Sequence, residues 1–283
     1  MTSVQWLTSR KLPIGPWAKS GVDWLTDNAA AFFDLVARIL GGMVAGILWL
    51  LQAPHPLVAV AVITALAWLV RRSIGFTIFT AASLLLIINQ GYWKETTETL
   101  ALVISSAFIC MVLGVPIGIA AARRPWLMKG LSPVLDLMQT IPTFVYLIPA
   151  LILFGLGMVP GLIATIIFAL PSPVRLTQLG VSSTPQPLLE AADAFGATSM
   201  QRLWKVELPY AMPQIMAGLT QTIMLSLSMV VIAALVGADG LGVPTLRALN
   251  QVNIAKGFEV GVAIVLIAIV LDRLCRAERK ASP

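Results

Sequence analysis

The stretch EAADAFGATSMQRLWKVELP, residues 190–209, decides how the rest of the chain is organised. It is a charged, helix-prone insert between two apolar runs. Ser183 and Thr184 are expected to cap a first short helix, and Pro185 suits a first helical turn. Gly196 stands where a left-handed C-terminal cap would end that helix.

The second half of the stretch predicts another helix. Thr198 followed three residues later by Gln201 is a capping-box pattern. This helix is expected to end near Val206, before Pro209 restarts the chain into the next apolar run. The two helices would then form an ordered docking surface at the end of the molecule. The alternative is an amphipathic loop that is only solvated and binds no partner.

The spacing EAA, three residues, G, nine residues and VxLP resembles the cytoplasmic signature loop of ATP-binding cassette (ABC) importer permeases. Val206 stands where that family often has isoleucine. The resemblance implies a surface that couples the membrane helices to an ATPase. Its positions in this chain are Glu190, Ala191, Ala192, Gly196, Val206, Leu208 and Pro209.

The resemblance extends over residues 131–273. Segments such as LDLMQTIPTFVYLIPALILFGLG and AMPQIMAGLTQTIMLSLSMVVIA look like the permeases that take up quaternary amines. This implies a type I ABC importer permease fold and glycine betaine, proline betaine or choline as the transported compound. The overall resemblance of residues 237–256 favours choline rather than glycine betaine.

The composition indicates an integral membrane protein. Of 283 residues, 58% are hydrophobic and 11% are charged, which is too few to form the polar shell of a soluble globule. The net charge of +6 does not indicate nucleic-acid binding, because the bases cluster beside apolar runs, as in membrane proteins. Cys110 and Cys275 are not expected to form a disulfide. We expect no metal site, since His55 lies alone in a turn.

The chain is expected to be all-α, a polytopic membrane protein of about seven transmembrane helices plus an N-terminal interfacial helix. Residues 1–56 would be a tail and an amphipathic helix at 29–51, although a membrane span there is the open alternative. Residues 57–91 would form two accessory spans, 92–275 the permease core with its loop at 183–213, and 276–283 a cytoplasmic tail. The seven spans are expected at about 57–70, 74–90, 100–122, 134–156, 162–179, 215–236 and 258–271.

The distribution of bases predicts the orientation, because Lys and Arg concentrate in cytoplasmic loops. Lys94, Arg247 and Lys256 fall on the opposite side from the signature loop. We therefore expect a multi-pass protein of the cell inner membrane. Its C-terminus would lie in the cytoplasm and its N-terminus on the outer side. Twelve of the 19 bases fall on the loop side, namely Arg71, Arg72, Arg123, Arg124, Lys129, Arg175, Arg202, Lys205, Arg273, Arg276, Arg279 and Lys280.

The sequence contains no GxxxxGK[ST] motif, so we expect no catalytic residue and no cofactor in this chain, with ATP used by a partner subunit. The resemblance implies three partners besides the lipid bilayer: cytoplasmic ABC ATPase subunits, a second permease copy in a homodimer, and an extracytoplasmic substrate-binding protein.

The rival hypothesis is a self-contained ion-coupled transporter, which needs ionisable groups near mid-membrane. Asp136 is the acid nearest to this condition, and we interpret it as a structural acid at the interface. Phe144, Tyr146 and Gln221 are candidates to line the passage, although aromatic and amide side chains in spans more often serve packing.

Overall fold

The computed structural model describes residues 13–275, and within them every regular element is a helix. Apolar runs in a bilayer form helices because the backbone finds no water to satisfy its polar groups. In chain order the helices are α1 (Ile14–Gln52), α2 (Pro56–Arg71), α3 (Ile74–Asn89), α4 (Trp93–Arg123), α5 (Pro125–Thr140), α6 (Thr143–Phe154), α7 (Met158–Ala169), α8 (Pro171–Ser182), α9 (Gln186–Ala194), α10 (Ser199–Arg202), a π-helical turn (Leu203–Glu207), α11 (Leu208–Ala234), α12 (Gly242–Asn250) and α13 (Ile254–Cys275).

Each of the seven expected spans overlaps one or two helices. Four long ones correspond to α4, to α7 and α8 together, to α10 through α11, and to α13. Helices α2 and α3 have 16 residues each, fewer than the ~20 that cross a bilayer upright. The expected span at 134–156 is broken instead, because α5 and α6 meet at an angle of 93° around Ile141 and Pro142.

The centre of the bundle is formed by α4, α7–α8 and α11. Helix α4 runs parallel to α8 at very short range: a Cβ on Gly118 would lie 2.6 Å from the Val174 carbonyl oxygen. Helix α11 runs antiparallel to them and is tied to α4 by a hydrogen bond of 2.8 Å from Ser106 Oγ to Ser226 Oγ. Small and hydroxyl residues at helix contacts are the usual means of association in a membrane, where lipid removes most of the hydrophobic drive.

Helix α1 begins earlier than expected. Residues before 29 were expected to form a tail, whereas in the described part helical structure already begins at Ile14 and continues to Gln52 across a kink at Ala29. Pro16 lies in the first turn, where a missing N–H costs no intrahelical hydrogen bond. A local departure from helical geometry occurs at Ala29. Residues 1–12 and the predicted tail at 276–283 lie outside the described residues.

Helix α1 is long and apolar enough to cross a membrane, yet its contacts favour the surface placement predicted for residues 29–51. We call the end of the bundle remote from residues 183–209 the distal end. The Phe33 ring meets the Phe154 ring at 5.4 Å, Val44 packs in a cluster with Ala101 and Leu162, and Gln52 donates to Thr97 at 2.8 Å.

The partners of Phe33, Val44 and Gln52 lie toward the distal ends of α4, α6 and α7, and the cluster around Val44 also includes Ile109 and Ile166 further along these helices. The surface placement of residues 29–51 therefore stays a prediction, with a membrane span as the alternative.

Candidate functional site

The signature loop begins with α9, whose C-terminus is capped as predicted. Gly196 has a φ of +73°, in the left-handed region. Its N–H donates to the Asp193 carbonyl at 2.9 Å, and the N–H of Ala197 donates to the Ala192 carbonyl at 3.0 Å. This pair of hydrogen bonds is a Schellman motif, which satisfies two carbonyls at the helix end. The predicted role of Gly196 as a C-terminal cap is confirmed.

The expected cap at the start of α9 is wrong. The hydroxyl of Ser183 donates back to the Gly180 carbonyl at 3.0 Å, and that of Thr184 donates to the Val181 carbonyl at 2.9 Å. Pro185 occupies the N-cap position without a side-chain cap. Both hydroxyls thus close the end of α8, since Ser and Thr compete for nearby backbone groups of either helix.

The second helix of the loop has the predicted capping box. The hydroxyl of Thr198 accepts from the Gln201 N–H at 3.3 Å, and Gln201 Oε1 accepts from the Thr198 N–H at 2.8 Å.

The expected restart at Pro209 is wrong, because the π-helical turn carries the chain directly from α10 into α11. The Leu208 N–H donates to the Leu203 carbonyl five residues earlier, and Pro209 occupies the first turn of α11. A proline has no N–H to donate, and the wider π turn precedes it without a break. Ser199–Ala234 is consequently one continuous helix that joins the loop to the membrane.

The remaining signature residues are spread over the loop. Glu190 is exposed, and its Oε1 accepts from Gln186 Nε2 at 3.1 Å. Ala191 and Pro209 are exposed, whereas Ala192, Val206 and Leu208 are half-buried. These residues alternate between packing within the loop and facing outward, so the motif specifies the shape of the surface as well as its contacts.

A carboxylate that the sequence analysis did not single out organises the loop. Glu207, whose side chain is 7% exposed, lies 3.2 Å from Arg123 Nη2 and 3.1 Å from Arg202 Nε. Arg202 Nη1 also lies 3.1 Å from Asp193 on α9. Hydrogen bonding to Glu207 and the charge of Asp193 raise the pKa of Arg202.

We call these four residues the arginine–glutamate network. Arg123 additionally donates to the Ser199 carbonyl at 3.0 Å. The network joins the end of α4, both helices of the loop and the start of α11, and no local sequence pattern links residues this far apart.

The loop also exposes large apolar side chains. Phe195 is 92% exposed and Trp204 is 64% exposed. Both residues belong to the polar signature loop and not to a membrane span. Exposed aromatic side chains on a rigid polar surface are typical of binding anchors. Their occurrence within a charged segment is the sequence signal from which this role could have been predicted.

The three passage candidates are not brought together. Phe144 is exposed on α6, while Tyr146 packs against the cluster of Ala164, Met229 and Val236. Gln221 is exposed at the middle of α11. Gln214 and Ser228 are exposed one heptad before and after Gln221, so the three share a polar stripe along one helix face.

Asp136 is not isolated, because it pairs with Arg175 Nη2 at 2.5 Å. Arg175 was counted among the cytoplasmic bases. It lies within the helix Met158–Ser182, seven residues or about 10 Å before its end.

A bundle of apolar helices with a rigid, aromatic-tipped loop projecting from one end defines the membrane subunit of an ABC importer. Residues 114–277 match the profile of the binding-protein-dependent transport system inner membrane component. The chain belongs to this family. It is therefore a multi-pass inner-membrane permease, not an enzyme, that works with a separate ATPase and a substrate-binding protein.

Several relatives cover almost the whole chain. The glycine betaine transport system permease protein OpuAB of Bacillus subtilis is 46% identical over 93% of each chain. The glycine betaine/carnitine transport permease protein GbuB of Listeria monocytogenes is 45% identical over 95% of this chain and 96% of its own. The glycine betaine/proline betaine permease ProW of Escherichia coli is 43% identical over 94% of this chain and 75% of its own.

Solved structures support the same fold. Two inward-facing crystal forms of the MetNI methionine ABC transporter have TM-scores of 0.57 and 0.59 at 27% and 26% identity. They cover 63% and 65% of this chain and 92% and 94% of the matched chains. The all-α permease fold is confirmed, and the rival ion-coupled transporter has no support.

Proposed function

We propose that this chain is the permease of an ATP-driven importer for quaternary amines, with glycine betaine as its first substrate. The relatives that cover nearly the whole chain at 43–46% identity are named for glycine betaine, with carnitine or proline betaine in addition. The expected preference for choline stays unconfirmed. The single observation that carries the transport mechanism is the rigid loop with Phe195 at its tip.

The loop is proposed to act as a lever for the ATPase. Its surface is stiffened locally by the Schellman motif and the capping box, and globally by the arginine–glutamate network. A force on Phe195 would therefore move α4 through Arg123 and α11 through the continuous helix from Ser199. The motion of these two central helices would then open the passage alternately to the two sides of the membrane.

A second copy of the chain is proposed to complete the passage. The stripe of Gln214, Gln221 and Ser228 is exposed along α11, and polar side chains are unfavourable against lipid. Facing a second copy across a polar passage would remove this cost. Phe144, exposed on α6, and Tyr146 are proposed to contribute to the same passage walls.

The experiment that tests the lever uses Phe195→Ala in cells that also produce the cognate ATPase and binding protein. Truncation of a central aromatic anchor should lower co-purification of the ATPase and ATP-dependent glycine betaine uptake at least about tenfold. Trp126→Ala is the matched control, because Trp126 is 69% exposed at the start of α5, outside the loop. Equal uptake by both variants at matched membrane abundance would contradict the coupling role of the loop.

A further inference from the structure

Asp136 on α5 and Arg175 on α8 form a charged pair, and Arg175 belongs to the apolar helix Met158–Ser182, which is long enough to span a membrane. Both side chains are partly exposed, at 57% for Asp136 and 37% for Arg175. Ionisable groups within a membrane span are costly unless they pair, and they tend to mark the path of a polar solute. The pair lies away from the arginine–glutamate network and is not needed for the lever.

Some buried polar atoms on the helices that form this pair, or on α6 next to them, have no partner in the described part of the chain. Arg175 Nε, Ser172 Oγ and Tyr146 Oη have no hydrogen-bond partner within residues 13–275. Ser172 is only 5% exposed and lies three residues before Arg175, on the same face of the helix. Tyr146 packs in the cluster that contains Ala164, two turns earlier on that face.

Both helices of the bent pair α5 and α6 pack against the helix that contains Ser172 and Arg175. Asp136 lies before the 93° bend and Tyr146 after it. The result is an acid, a base with an unused donor, a buried hydroxyl and an aromatic ring along one helix face. Unused donors beside an opposed charge pair are suited to a ligand that itself carries both charges.

We propose that Arg175 and Asp136 form a transient binding site for a zwitterionic quaternary amine within the permease. This inference rests on the proposed function. The substrate carboxylate would form an ion pair with Arg175. The guanidinium of Arg175 presents the free Nε together with Nη2, a geometry that suits a carboxylate. The trimethylammonium group has no N–H to donate, so Asp136 and the Tyr146 ring would stabilise it by charge and by cation–π attraction.

Such a site distinguishes zwitterions from simple cations. A betaine replaces the ion pair completely, because each of its charges meets an opposite one. Choline has no carboxylate, so its binding would leave Arg175 without a counter-ion. The site therefore favours betaines over choline as the transported compound.

The test uses the complete complex, with ATPase and binding protein, reconstituted in liposomes. Uptake of labelled glycine betaine and ATP hydrolysis are measured together for Arg175→Gln and Asp136→Asn. Each variant is expected to lower the uptake per ATP hydrolysed at least about tenfold, while the stimulation of ATPase by the loaded binding protein stays within about twofold. Arg124→Gln is the matched control, because Arg124 is exposed and forms no ion pair with residues 13–275.

The double variant Arg175→Gln/Asp136→Asn separates a binding site from a structural bridge. Removing both charges of a structural pair relieves the uncompensated charge, so a bridge predicts that uptake recovers relative to either single variant. A substrate site predicts uptake at or below that of the single variants, and recovery would overturn the proposal. Wild-type-like uptake by Arg175→Gln would also overturn it, whereas the absence of ATP-dependent uptake by the wild-type complex would contradict the proposed function itself.

Discussion

Gly196 adopts a φ of +73° at the turn between α9 and α10, and a Cβ added there would meet no atom within 4 Å. The constraint at this position is therefore the backbone and not the available space. Asparagine tolerates the left-handed region, whereas a β-branched residue is a genuine outlier there. Substitution by valine or by asparagine, which are similar in size, can thus separate the effect of backbone strain from the effect of side-chain volume.

We expect Gly196→Val to strain the turn by about 1–3 kcal/mol and to displace the two loop helices relative to one another. The protein should insert normally, because the spans are unaffected, but should retain less ATPase on purification and lose uptake. Gly196→Asn is the control and should behave nearly as wild type. Full ATPase retention by Gly196→Val at matched membrane abundance would show that the geometry of this turn does not matter for coupling.

Glu207 is the other residue on which the loop depends, since it is buried between Arg123 and Arg202. Glu207→Gln removes the charge that both arginines share and should loosen the loop. Hydrogen exchange of the amides at 199–207 should then rise about tenfold, equivalent to about 1.4 kcal/mol.

Asp193→Asn tests the exposed arm of the same network. Asp193 is 53% exposed, and solvent-exposed pairs contribute about 0–1 kcal/mol, so its effect on exchange should be small. Comparable protection in the two variants would mean that Glu207 does not organise the loop.

At the scale of elements, α1 is the helix whose placement relative to the membrane stays a prediction. Its contacts at Phe154, Leu162 and Thr97 lie toward the distal end of the bundle and favour the surface. Its length and apolarity equally allow a membrane span.

Surface placement of α1 predicts that both of its ends are accessible from the same side. In a background with Cys110 and Cys275 replaced, cysteines at Asp27 and Ala53 should both react with a membrane-impermeant maleimide added to intact cells. Both residues are exposed in the fold. Reaction at only one of the two positions before permeabilisation would identify α1 as a membrane span.

At the scale of the whole molecule, the proposed orientation follows from the bases at the two ends of the bundle. Lys94→Cys and Arg247→Cys are expected to react from outside, because they lie at the distal end. Trp126→Cys, at the start of α5 on the loop side, should react only after permeabilisation. Reaction of position 126 in intact cells would reverse the orientation and place the coupling loop on the wrong side for a cytoplasmic ATPase.

The sequence by itself determined most of the helices and two caps of the coupling loop. The spans follow from composition, because lipid leaves the backbone of a long apolar run no alternative to a helix. The Schellman motif at Gly196 and the capping box at Thr198 depend on hydrogen bonds between residues at most five positions apart, so a local pattern contains all their partners.

Only the tertiary structure decided which distant groups meet. Arg123 joins Glu207 across 84 positions, and Arg175 joins Asp136 across 39. Such pairs depend on which faces of two helices pack together, and a single sequence shows the character of each face but not its partner. The same limit explains why the bend between α5 and α6 was not predicted, since it depends on packing against helices elsewhere in the chain.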